Sequence, residues 1–389
     1  MRVTHIITRL IVGGAQENTV ASVLGLQEKP SLQFDLITGP TTGSEGSLEN
    51  TFHNHPCTLH VAPHLIRAVS PLADVLAFRE LTSLLRRLKP DIVHTHSSKA
   101  GILGRLAAHR AGVPIIVHTI HGPSFGSFQG RISNILFTAA ERHVAKVTTH
   151  FVTVANAMTE QFLRAGIGVP ENFTRVFSGF PLTPFLQARN DLSLRKQLGL
   201  QTDDFVVGKI ARLFELKGHD DLLEAAPELI KRRPNIRFLL VGGGPWQERL
   251  EAKVRALDLQ RHFVFTGLVQ PGEIARYVGI MDCLVHLSYR EGLARALPQA
   301  LAAGRPVVAY DCDGAREVCI DHETGFLVPL GDRGRLIESL CALATNPALR
   351  ETLGRRGQEI VCERFPVERM VDDLYNLYQR LAAERNLPS

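Results

Sequence analysis

A chain of 389 residues with 44% apolar content is too long for one ordinary core and predicts two domains. Its formal charge of +5 is placed unevenly: residues 1–183 hold 16 Lys and Arg against 11 Asp and Glu, together with 12 of the 16 histidines, while the remainder sets 28 basic residues against 28 acidic ones. No run reaches the roughly 20 apolar residues of a membrane span, the apolar N-terminus is short and broken by Arg9 and so does not read as a signal peptide, and six cysteines without a CxxC pair exclude a zinc cluster and favour free thiols in a reducing compartment.

In chain order, residues 3–8 alternate into a short strand. Val12, Gly13, Gly14, Ala15 and Gln16 then form a glycine loop ahead of a helix over 17–26. Glycine lets backbone approach a ligand closely and a helix start favours phosphate or a sugar hydroxyl; a tight strand-to-helix turn would use the same residues. A helix over 75–88 stops before Lys89 and Pro90, and the strand DIVH follows at 91–94. The loop from Thr95 to Gly101, with His96, Ser97 and Lys99, is dense in polar side chains and leads into a small-residue helix. His94 and His96 are read as alternating on the strand end, so that only one faces a given side, and no third ligand is expected near enough to make the pair a metal site. The strand over 114–120 ends at His121-Gly122-Pro123. A histidine at a strand terminus is well placed to meet a ligand, although with so many histidines in this half a structural role is the plainer reading of any one.

An amphipathic helix over 133–145, a strand over 150–154, a helix through Gly166 and a strand over 174–177 complete the first half. Residues 178–185, SGFPLTPF, break both periodicities and mark the boundary. The first domain covers 1–180, a linker with a connecting helix over 189–200 fills 181–203, and the second domain covers 204–365.

The second domain opens with a strand over 204–210 and a loop in which Arg212 and Lys217 lie five residues apart before Gly218. Two cations so placed, ahead of a helix, make a two-pronged grip for a diphosphate; the bland alternative is a solvated basic loop. The strand over 236–241 runs into Gly242-Gly243-Gly244-Pro245, the start of a dinucleotide fingerprint that fails where Gln247 replaces its last glycine. A strand over 263–266 precedes Gly267, Leu268 and Val269, and a short helix over 273–281 leads to a strand over 282–287. Then comes EGLARALPQALAAG at 291–304: Glu291, Gly292, Leu293, Ala294 and Arg295 form a loop, a short helix carries Pro298 in its first turn, and Gly304 turns the chain into PVVAY. Gln299 follows Glu291 by eight residues, a little over two helical turns, so both can face one ligand. Asp311-Cys312-Asp313 has the look of an acidic metal pair, but at the head of a loop it is better suited to anchoring a turn. A strand over 324–328 and helices over 332–346, 348–363 and 366–385 close the chain, the last with one apolar face from Val367 to Leu381. Alternating strands and helices throughout predict an α/β protein with parallel sheets covered on both faces.

Glu291, Gly292 and a polar side chain eight residues after the acid, running into a small-residue helix that ends in glycine, resemble the nucleotide-sugar signature of the retaining glycosyltransferases of family 4, the group 1 glycosyl transferases. Arg212, Lys217 and Gly218 are similar to the family's Arg-x4-Lys-Gly element, His121-Gly122 to its HG, and Thr324 to Val328 to its short strand ETGFLV. The chain departs from the pattern at Gln299, where the family has a second Glu.

The resemblance spans essentially the whole chain and implies the GT-B fold, two Rossmann-like parallel-sheet domains facing across a cleft, with the final helix crossing back to the first domain. The implied reaction moves a sugar from a nucleoside-diphosphate sugar to the hydroxyl of a sugar or lipid-linked acceptor, with retention, in the synthesis of envelope polysaccharide, lipopolysaccharide or glycolipid. Arg212 and Lys217, with backbone donors after Glu291, would neutralise the leaving diphosphate, so that neither metal nor cofactor is required. Gly267 and Leu268 would lie beside the nucleobase, Glu291 and the following residues Gly292, Leu293, Ala294 and Arg295 at the transferred sugar, and Gln299 at the ribose. His121 would meet the sugar from the first domain, and Gly13, Gly14, Gln16, His96, Ser97 and Lys99 would face the acceptor. The expected setting is cytoplasmic, with the basic first half able to touch an anionic membrane from its inner face; no nucleic acid partner is expected. A nucleotide-sugar epimerase and a catalytically silent nucleotide-sugar binder remain as alternatives.

Overall fold

The computed structural model describes residues 1–41, 46–52, 55–126 and 128–387. In chain order its elements are β1 (Arg2–Ile7), α1 (Gly14–Gln27), β2 (Gln33–Thr38), β3 (Thr58–Val61), α2 (Pro71–Leu88), β4 (Ile92–His96), α3 (Ser98–Ala111), β5 (Ile115–Ile120), α4 (Arg131–Ala145), β6 (His150–Thr153), α5 (Asn156–Arg164) and β7 (Phe173–Arg175). They continue with α6 (Thr183–Leu186), α7 (Leu192–Gln197), β8 (Phe205–Ile210), α8 (His219–Arg232), β9 (Ile236–Val241), α9 (Gln247–Ala256), β10 (Phe263–Phe265), α10 (Ile274–Gly279), β11 (Cys283–His286), α11 (Ala296–Ala302), β12 (Val307–Tyr310), β13 (Gly325–Val328), α12 (Arg333–Thr345), α13 (Pro347–Arg364) and α14 (Val367–Glu384). The chain divides into two compact units, Met1–Phe180 with Val367–Ser389, and Pro181–Pro366.

In the first unit seven strands stand in the order β3-β2-β1-β4-β5-β6-β7, all parallel. Strand residues alternate between two apolar layers. Val3 and Ile7 of β1 pack with Met370, Leu374, Leu377 and Tyr378 of α14, and Ile6 packs on the opposite side with Leu81 and Leu85 of α2 and Ala107 of α3. Thus α14, the last helix of the sequence, supplies one wall of the first sheet. It lies so close to α1 that a Cβ on Gly25 would collide with the Val371 side chain.

The second unit carries six parallel strands in the order β10-β9-β8-β11-β12-β13, packed around one apolar cluster that includes Val207, Leu222, Phe238, Val285 and Leu336. Residues 181–203 fold with this unit. The expected helix over 189–200 is shorter, because Asp191 caps α7 by accepting from the Leu194 amide at 2.9 Å, and the same carboxylate binds Arg276 of α10 at 2.7 Å. Four of the six cysteines are buried and all are free thiols. Among the described residues, no helix is long and apolar enough to cross a membrane.

Candidate active site

In an open parallel sheet, ligands gather at the carboxyl ends of the two strands where the order reverses. In the second unit those strands are β8 and β11, neighbours in the sheet although separated in sequence. The loop after β8 carries Arg212 and Lys217, and the loop after β11 carries Glu291.

Backbone detail joins the two loops. Leu216 and Gly218, on either side of Lys217, both have left-handed backbone, with φ of 64° and 63°. A Cβ on Gly218 would run into the Leu287 carbonyl, so only glycine lets this loop lie against the end of β11. The Tyr289 amide then donates to the Leu216 carbonyl at 2.9 Å. The result is a direct ion pair between the Lys217 ammonium and Glu291 Oε2. Burial acts against charge on the Glu291 carboxyl, but Lys217 outweighs it and holds the group below the ordinary carboxylate range. Asp313 fixes the same loop by accepting from the Glu291 amide at 2.8 Å. The Asp311–Asp313 stretch therefore anchors a turn, and the turn is the one bearing Glu291.

Arg212 is half-buried and stacks over Phe214, with 5.6 Å from guanidinium to ring centroid. Its carbonyl accepts from His219 Nε2 at 3.0 Å, which fixes the tautomer of a histidine held at about 3 by burial. The glycine run that began a dinucleotide fingerprint packs against this loop. A Cβ on Gly242, where φ is 137°, would strike the Ala211 carbonyl, and the Gly243 carbonyl accepts from the Leu213 amide at 3.0 Å. Gly267 joins the same arrangement by accepting from the Gly242 amide at 3.1 Å, while Leu268 is exposed. Gly292, Leu293 and Ala294 are buried, and Arg295 and Gln299 are half-buried.

Two groups at this site carry no signal in the sequence pattern. Lys209, on β8, is buried with no hydrogen bond to its ammonium among the described residues, and burial followed by Lys217 lowers it to about 7. His286, at the end of β11, has its Nε2 4.0 Å from Glu291 Oε2 and is lowered to about 3 by burial.

In the first unit the order reverses between β1 and β4. Gly13 and Gly14 open α1 after β1, and Gln16 folds over Gly13. Ser97 meets Thr8 Oγ1, just past the end of β1, at 2.7 Å, and His121 follows β5, half-buried. Two expected acceptor-side residues are occupied otherwise. Lys99 lies in the first turn of α3 and is committed to Asp74 Oδ1 at 2.5 Å and to the Ala68 carbonyl. His96 is 1% exposed, behind His121. The reading of His94 and His96 as pointing to opposite sides is also corrected. Residues two apart on a strand share a face, and these rings stack at 4.5 Å. A third histidine does lie near, since His5 of β1 brings a nitrogen within 4.8 Å of one on each of the others.

Residues 190–360 match the family model described as "Glycosyl transferases group 1", and residues 13–180 that described as "Glycosyltransferase Family 4". Among characterised relatives, the Escherichia coli UDP-Gal:alpha-D-GlcNAc-diphosphoundecaprenol alpha-1,3-galactosyltransferase is 27% identical over 387 residues, covering 97% of this chain and 96% of that one. The GDP-mannose-dependent alpha-mannosyltransferase of Mycobacterium tuberculosis is 29% identical over 376 residues, covering 95% and 93%. Among solved structures, Anabaena HepE in complex with UDP-glucose superposes with a TM-score of 0.81 at 20% identity, over 98% of this chain and 100% of that one. Sucrose-phosphate synthase from Thermosynechococcus elongatus gives 0.83 at 21%, over 99% and 100%.

Proposed function

The chain belongs to the group 1 glycosyl transferases of glycosyltransferase family 4, with the two Rossmann-like sheets of the GT-B fold, and on that premise we propose that it transfers a sugar, with retention, from a nucleoside-diphosphate sugar to a lipid-linked acceptor. The observation that carries this reading is the meeting of the Arg212–Lys217 loop with the Glu291 loop at the order reversal of the second sheet. Arg212 and Lys217 meet the diphosphate and stabilise the charge that builds on it as the glycosidic bond breaks. Two cations suffice for that neutralisation, so the reading needs no metal. Glu291 steadies Lys217 with one carboxylate oxygen and takes a hydroxyl of the transferred sugar with the other.

Gln299 serves the ribose. An amide oxygen accepts as a carboxylate does but without charge assistance, so donor binding is weaker than with Glu by about 1 kcal/mol. The chemistry survives, because the ribose is remote from the bond that breaks. His121, Gly13, Gly14 and Ser97, all at the carboxyl edge of the first sheet, supply the acceptor side.

The acceptor class is supported by the diphosphoundecaprenol named for the Escherichia coli relative and by the outer face of α4. There Ile132, Ile135 and Leu136 are 75%, 59% and 65% exposed, beside exposed Arg131, Arg142 and Lys146. An apolar and basic helix face suits the surface of an anionic bilayer, in this reading the cytoplasmic one. Cosedimentation with phosphatidylglycerol vesicles is expected for the native chain and is expected to fall at least fivefold in the Ile135→Glu, Leu136→Glu double variant.

Purified protein should be screened by thermal shift against nucleoside-diphosphate sugars of both uracil and guanine bases, the two named for its relatives, because a ligand of the folded state raises its stability. A stabilising donor that is consumed only when a lipid-linked sugar is added supports transfer. Conversion of the donor to an isomeric nucleotide sugar without acceptor and without release of nucleoside diphosphate would make the protein an epimerase, and stabilisation without any turnover a silent binder.

A further inference from the structure

The first sheet buries a row of histidines behind His121 that sugar binding does not use. Parallel pairing sets His5 of β1 opposite His94 of β4, and His96 opposite Thr119 of β5. On this face α14 lays Tyr378 against them. Five hydrogen bonds then run without a break. His121 Nε2 meets His96 Nδ1 at 3.1 Å, and His96 Nε2 meets His5 Nδ1 at 2.9 Å. His5 Nε2 meets Tyr378 Oη at 3.1 Å, Tyr378 Oη meets His94 Nδ1 at 2.5 Å, and His94 Nε2 meets Thr119 Oγ1 at 2.6 Å. His5, His94 and Tyr378 are wholly buried and His96 nearly so.

Burial holds His5 at about 3 and His121 at about 4, with His94 and His96 also well below the ordinary value, so every ring is neutral near pH 7. A neutral imidazole has one N–H and one acceptor nitrogen. Tyr378 has one proton to give, either to His5 or to His94. Given to His5 Nε2, it forces the His5 proton onto Nδ1, where it donates to His96 Nε2. His96 then donates from Nδ1 to His121 Nε2, and His121 carries its own proton on Nδ1. Given to His94, it reverses every bond, and His121 carries its proton on Nε2. A third arrangement, in which Tyr378 accepts from both rings, would leave its own buried proton without an acceptor among the described residues.

We propose that the Tyr378 hydroxyl, through His5 and His96, sets which nitrogen of His121 bears the proton, making Tyr378 a positioning residue on α14 for a group at the edge of the first sheet. The contact of His121 with a sugar rests on the proposed function; the coupling does not. His5, His94 and His96 could be drawn onto a metal ion instead, but an ion at about 2.0–2.1 Å from one nitrogen of each would take those nitrogens out of the chain.

The test is a long-range proton–nitrogen correlation spectrum of the full protein labelled with 15N-histidine, with His121 assigned through His121→Gln. The native chain is expected to show His5, His96 and His121 each as one tautomer, all in the same sense. Tyr378→Phe, checked for folding by circular dichroism, is expected to move the His121 nitrogens toward a common average. His5→Gln, which cuts the path and leaves Tyr378 in place, is expected to do the same and serves if the first variant does not fold. An unchanged single tautomer at His121 in a folded variant would overturn the proposal, as would stoichiometric zinc in the purified native protein. The readout does not depend on transfer, so failure of the donor reading and failure of the coupling are separable.

Discussion

Lys209 places a buried amine at the candidate site. Its ammonium is buried and, among the described residues, makes no hydrogen bond; burial, then Lys217, brings it to about 7. An unfolded lysine titrates near about 10.4, so between the two values the unfolded chain holds more protons and stability rises with pH. Below pH 7 the penalty is at full size. Lys209→Met is therefore expected to raise the melting temperature, most at pH 6 and least near pH 10, in scanning calorimetry at a series of pH values. No gain at pH 6 would mean that the lysine is solvated or paired. Arg212, Lys217 and Glu291 stand out in the sequence because loops after strands are visible as breaks in apolar runs. Lys209 and His286 sit inside such runs, where a polar residue looks like an interruption and its distance to Glu291 cannot be read.

At the scale of elements, β2 and β3 escape the sequence pattern. Gln33, Asp35 and Thr38 break up the apolar run of β2, and Asp35 is buried only because Arg2 at 2.7 Å and His60 at 2.9 Å compensate it from neighbouring strands. Helix α14 is legible from its apolar stripe, and its wall is the first sheet. Its packing on α1 depends on Gly25, where a Cβ would meet Val371. Gly25→Ala is expected to destabilise the first unit by about 1–3 kcal/mol through overpacking, and Val371→Ala to recover most of that loss in the double variant. Urea titrations of the four members of the cycle measure the coupling, and additive effects would show that the helices part freely.

Across the whole molecule the histidines divide the two units by their response to acid. In the first unit His5, His121 and His150 are held at about 3, 4 and 4, and His94, His96 and His118 lie well below the usual value, all chiefly by burial. In the second, His219 and His286 are held at about 3. Free histidine titrates near about 6.5, so below that pH the unfolded chain takes up protons that the folded unit refuses. The stability from these groups is complete above about pH 6.5 and is lost as pH falls toward 4. Six groups against two predict that the first unit loses more stability than the second between pH 7 and pH 5, seen as a larger rise in proteolysis within residues 1–180 over that interval. An equal rise in both units, or a larger one in the second, would contradict this.

Arg212 and Lys217 are the proposed grip on the donor diphosphate. Initial rates of sugar transfer with the donor found in the thermal-shift screen, compared among native protein, Arg212→Ala, Lys217→Ala and Gln299→Glu, measure that directly. Each alanine variant is expected to lose about 100-fold or more in kcat, the usual effect of removing one group that stabilises developing negative charge, while Gln299→Glu keeps its rate and binds donor at least as tightly. Full activity in either folded alanine variant would contradict the account.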